Sequence, residues 1–161
     1  MIEADVTIIE ELLLHDEDFP NNYINMAHPD DYKETNNFEP QYINHSYHGR
    51  HNRLIARVAW KMSNGIFVPM SFVCDTGAPS HLYLSTQAYN ILEKYNRVLI
   101  DDRGNQYVKI HLNETKTFNA NIEETPHIHR NANIIGLKAL KRLHLALKDD
   151  TFSFNNEFLY L

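Results

Sequence analysis

Ile66-Phe67-Val68-Pro69-Met70-Ser71-Phe72-Val73-Cys74-Asp75-Thr76-Gly77-Ala78 is a nearly continuous apolar run that ends in a carboxylate, a hydroxyl and a glycine. A run of this length bounded by turn residues reads as a strand buried on both faces. A carboxylate at the end of such a strand is costly to place unless it has partners, which makes Asp75 informative. The bland alternative is a strand that simply stops in a turn, since Asp, Thr and Gly all favour turns. Just upstream, Asn64-Gly65 tolerates the positive φ angles of a tight hairpin. It joins the run to an earlier candidate strand over 54–60.

Downstream, Leu84, Ala88, Ile91, Leu92 and Tyr95 fall at helical spacing, and Ser85 can cap a helix over 86–95. Residues 97–100 and 106–112 form a second predicted hairpin around Asp101-Asp102-Arg103-Gly104-Asn105. A further strand is expected over 117–123. Asn133-Ile134-Ile135-Gly136 leads into a short helix over 137–143. A last hairpin follows, 143–148 with 152–154 around Asp149-Asp150. The pattern is mostly β with two short helices.

The chain divides into three parts. Residues 1–52 read as an amino-terminal arm: a short amphipathic helix over 1–17, then a segment interrupted by Pro20, Pro29 and Pro40 with no sustained apolar period. Such a segment is a linker or an extended arm, not a core. Disorder is its bland and preferred reading, with docking on the domain or a partner, or a propeptide role, as the alternatives. Residues 53–155 carry the domain, and 156–161 are a carboxy-terminal tail. The length of 161 residues allows one domain with an appended arm.

Composition narrows the function classes. A net charge of -6 argues against nucleic acid as a partner, because phosphate binding needs a basic face. No stretch reaches the roughly 18–20 apolar residues of a membrane span. The amino terminus begins with acids where a secretory signal carries positive charge, so a cytoplasmic chain is expected. Cys74 is the single cysteine, which excludes an internal disulfide and a thiolate zinc cluster within one chain. Its apolar surroundings suit a buried small hydrophobe.

Val73-Cys74-Asp75-Thr76-Gly77-Ala78 resembles the catalytic turn of the retropepsin-like aspartic proteases, in which an apolar strand delivers Asp-Thr-Gly-Ala or Asp-Thr-Gly-Ser. That family follows the turn, some sixty residues later, with two aliphatic residues, a glycine and a helix. Here Ile134-Ile135-Gly136 does so, with Gly136 61 residues beyond Asp75. The resemblance covers about residues 53–155 and implies a single-lobe acid-protease fold, a closed β-barrel with two short helices. It also implies an aspartic endopeptidase acting on a protein or peptide substrate. One Asp-Thr-Gly per chain supplies one carboxylate, so the resemblance implies a symmetric homodimer with two Asp75 side chains at the axis. Asp75, Thr76 and Gly77 would then be catalytic: Thr76 bonding the other protomer's loop, Gly77 bringing backbone close to the carboxylates. Ala78, Ile135 and Gly104 would face substrate, though plain core is the bland reading of Ile134 and Ile135.

Two features depart from that picture. The family closes over substrate with a long glycine-rich hairpin. The candidate here, 98–108, has a polar tip with the single glycine Gly104. A short polar lid grips peptide less and excludes water less well. The rival reading is therefore a non-catalytic dimerisation or peptide-binding module on the same fold, since fold does not settle function. The histidines are the second feature. His45, His48 and His51 are spaced by three, but Gly49 and polar neighbours oppose the helix that would gather them, and His127 and His129 read as surface residues. No metal and no cofactor is expected. His81, near the turn, is a candidate for a pH response at the cleft.

Overall fold

The computed structural model describes residues 30–36, 46–48, 53–62, 64–111, 115–126, 130–149 and 152–154. Among them β1 (Ser46–His48), β2 (Arg53–Lys61) and β3 (Phe67–Asp75) form an antiparallel meander. After β4 (Leu82–Leu84) comes α1 (Thr86–Lys94). Then follow β5 (Leu99–Ile100), β6 (Gln106–His111) and β7 (Thr117–Glu124). β8 (Ile134–Gly136) runs directly into α2 (Leu137–Leu143). β9 (Leu145–Leu147) and β10 (Phe152–Phe154) make a separate antiparallel pair.

The eight strands β1 to β8 form one mixed sheet in the order β1-β2-β3-β8-β4-β7-β6-β5. Sequence-distant β8 is inserted between β3 and β4. It is parallel to β3, with Val73 opposite Ile134, Cys74 opposite Ile135 and Asp75 opposite Gly136. It is antiparallel to β4, with Leu82 opposite Ile135. β4 in turn runs parallel to β7.

β3 is buried along both faces, as its unbroken apolar run requires. Met70, Phe72 and Cys74 enter the main core with Trp60, Leu82, Leu92, Ile110 and Ile135. Val73, on the opposite face, packs with Ile55, Tyr83, Ala132 and Ile134 in a smaller cluster. β7 has one solvated face: Phe118, Ala120 and Ile122 are buried and their neighbours exposed, the alternation of a half-covered strand. Phe152 of the last hairpin is fully buried in the main core.

The sheet does not close into the barrel expected from the sequence. β1 and β5 are its two edges, pairing among the described residues only with β2 and β6. A two-residue β5 whose Ile100 is 65% exposed offers too few hydrogen-bonding groups to seal a seam. Alternation along each strand fixes which face is buried, not which edges meet.

Residues 30–36, within the arm, lie on the β2–β3 hairpin. Tyr32 N–H donates to the Pro69 carbonyl at 2.8 Å, and Thr35 exchanges backbone bonds with Phe67 at 2.9 Å. The fully buried Asp31 carboxylate accepts from Arg57 Nε at 2.9 Å and from Ser71 N–H at 2.8 Å. The expected helix over 1–17, the tail at 156–161 and the side chains of His45, His48, His51, His127 and His129 fall outside what is described.

Candidate active site

Asp75 is the last residue of β3, where the strand leaves the buried sheet. Its Oδ1 accepts a hydrogen bond from Gly77 N–H at 2.8 Å, and its carbonyl accepts from Ala78 N–H at 3.2 Å. The turn therefore folds back on the carboxylate and holds it half-exposed. A Cβ on Gly77 would sit 3.1 Å from that same Oδ1, so glycine leaves the carboxylate unobstructed. Thr76 and Gly77 are exposed, and Ala78 packs against the smaller cluster.

The neighbouring strand end is built around the absence of a side chain. Gly136 N–H donates to the His81 carbonyl at 2.8 Å, and Leu137 N–H donates to the Ala78 carbonyl at 2.7 Å. A Cβ on Gly136 would collide with the Ser80 carbonyl oxygen and lie 2.8 Å from that of Ala78. Only glycine lets the 78–81 backbone close over the start of α2, which brings Asp75, Ala78 and Gly136 together. Ile135 is fully buried in the main core, and Ile134 in the smaller cluster. Gly104 lies apart from them, exposed at the β5–β6 tip with φ +82°. That tip is ordered by Asp101, whose Oδ1 accepts from the N–H groups of Arg103 and Asn105 at 2.9 Å each.

A residue that sequence reasoning did not single out braces this frame. Asn133 is 4% exposed. Its carbonyl accepts from Val73 N–H at 2.9 Å, and its Oδ1 accepts from Ser85 N–H at 2.9 Å. Its Nδ2 donates to the Tyr32 hydroxyl at 2.9 Å and the Ser71 carbonyl at 3.3 Å. One amide thus joins β3, the cap of α1, β8 and the 30–36 segment. The signal available was an amide directly ahead of a buried strand, where it needs partners. Ser85 caps α1 as expected, accepting from Ala88 N–H at 3.1 Å.

His81 flanks the turn. Its Nδ1 accepts from Asn121 N–H at 3.3 Å, and its ring lies 5.9 Å from that of Phe118, over which the Arg142 guanidinium sits at 4.8 Å. Burial, with the charges of Lys138 and Arg142 adding, holds its imidazole below the ordinary range. Burial pushes the Cys74 thiol well up, and the Asp75 charge adds to the effect, so Cys74 is an inert core residue.

Among the described residues no three His, Cys, Asp or Glu side chains converge as a metal-ion site. No described helix is long and apolar enough to cross a membrane. A cavity of about 260 Å³ lies between α1, β6 and β7, lined by residues that include Leu84, Tyr89, Gln106 and Glu124; Asp75 does not line it. No protein-family model matches the chain, and no curated protein or solved structure matches it.

Proposed function

We propose that the chain is a retropepsin-like aspartic endopeptidase, active as a homodimer in which two Asp75 carboxylates face each other across a two-fold axis. The observation that carries this reading is the half-exposed Asp75 carboxylate, fixed by Gly77 N–H and seated opposite Gly136 on an inserted parallel strand. A single carboxylate so placed has no acid partner within the described residues of its own turn; a second copy supplies one.

Peptide hydrolysis without a metal needs a base for the attacking water and an acid for the carbonyl oxygen. Two carboxylates a few ångströms apart cannot both ionise, so they share one proton. The ionised member takes a proton from water as its oxygen bonds to the carbonyl carbon, and the protonated member gives its proton to the carbonyl oxygen. Collapse of the tetrahedral species breaks the C–N bond, and a proton from the pair goes to the leaving amine. The pair titrates as a unit. Thr76, exposed at the turn, would bond the partner's loop, and Ala78 leaves room for a substrate backbone.

Asp75→Asn keeps the side-chain volume and removes the ionisable pair. Cleavage of a diverse peptide library should vanish while sedimentation still reports a dimer. Unchanged cleavage by this variant removes the proposal.

The exposed polar tip at 101–105 and the two-residue β5 favour a second reading, a peptide-binding or dimerisation module without catalysis. A purified dimer that binds library peptides yet leaves all of them intact would establish it in place of the first.

A further inference from the structure

We infer that the cavity between α1, β6 and β7 is a binding site for a lysine or arginine side chain carried by a peptide, separate from the Asp75 turn. The wall is apolar, formed by the buried Leu84 and Ile122 and by Tyr89. Two exposed carboxylates, Glu123 and Glu124, lie on its solvent side. At about 260 Å³ it is smaller than the roughly 300–1,000 Å³ sites that hold whole drug-sized ligands, so it suits one long side chain.

An apolar wall that ends at carboxylates matches the two halves of a basic side chain. Its methylene stem covers apolar surface while its charged head stays at the rim. Glu123 already accepts from Ser80 Oγ at 2.8 Å, whereas the Glu124 carboxylate has no partner among the described residues. Glu124 is therefore the available acceptor for the cation, with Glu123 adding its charge. Gln106 Nε2 donates to the Tyr89 hydroxyl at 2.7 Å inside the cavity, which ties α1 to the β5–β6 hairpin where β6 leaves its tip. An occupant consequently touches the hairpin whose tip carries Gly104. Because Asp75 does not line the cavity, the site does not depend on the chain being a protease.

The test uses the full chain carrying Asp75→Asn, so that cleavage cannot intervene. Amide resonances are followed during titration with a short blocked peptide containing one arginine, and with the same peptide containing norleucine. Binding of the arginine peptide should shift the resonances of Leu84, Gln106 and Glu124, and Glu124→Gln should weaken it about tenfold, the scale of one charge-assisted contact. Equal affinity for the norleucine peptide, or shifts confined to residues outside the cavity, would overturn the proposal. So would free agmatine binding as tightly as the peptide, since the source would then not be a peptide.

Discussion

At Gly136 the backbone of 78–81 passes so close that a single added methyl has nowhere to go. The obstacles are two carbonyl oxygens, Ser80 and Ala78, and backbone cannot swing aside as a flexible side chain would. Gly136→Ala should cost about 3 kcal/mol by overpacking, read as a lower urea midpoint. Gly104→Ala meets no neighbouring atom and strains only its positive φ, so its cost should be smaller. Equal midpoints for the two variants would mean that the 78–81 backbone can give way. Both glycines stood out in the sequence, but one is required by the closeness of a distant backbone and the other by its own turn, a distinction that no local pattern carries.

Among the elements, β3 depends on partners from three separate parts of the chain: β2, β8 and the 30–36 segment. Asp31 anchors the last of these through a fully buried carboxylate. Asp31→Ala leaves the Arg57 guanidinium, only 15% exposed, without that carboxylate, and should destabilise by about 3 kcal/mol. Thermal unfolding would measure it, and a midpoint within a degree of the parent would show that the pair contributes nothing net. The hairpin around Asn64-Gly65, the cap of α1 at Ser85 and the passage from β8 into α2 were all legible, because period, cap and turn chemistry are local. The insertion of β8 between β3 and β4 was not legible, since hydrogen-bond partners 61 residues apart leave no trace in periodicity. Which part of the arm docks, and through which residue, was hidden for a different reason. Asp31 stands in a proline-interrupted polar stretch, where a buried anion looks like a solvated one.

At the scale of the whole molecule, two imidazoles among the described residues are ones that the fold prefers neutral. Burial, then Lys138 and Arg142, lowers His81 from an ordinary value of 6.5; burial, then Arg97, Lys61 and Lys109, lowers His111. The unfolded chain therefore takes up protons at a higher pH than the folded one. The stability these groups contribute is complete above pH 6.5 and is lost as the pH falls toward their lowered folded values. His81→Gln keeps the backbone carbonyl that Gly136 uses and should flatten that part of the decline in a series of urea titrations. A profile that superimposes on the parent's would exclude His81 as a source.

That 134–136 follows all seven other strands of its sheet also bears on synthesis. While a ribosome is still making that stretch, the emerging segment already holds 73–75 and 82–84 but lacks the strand that separates them. The carboxylate turn then has no Gly136 beside it and no Leu137 amide to pin Ala78. Pairing across so long a loop is slow and comes after the local hairpins. A nascent chain is thus kept from assembling this corner until residues 134–137 have been translated.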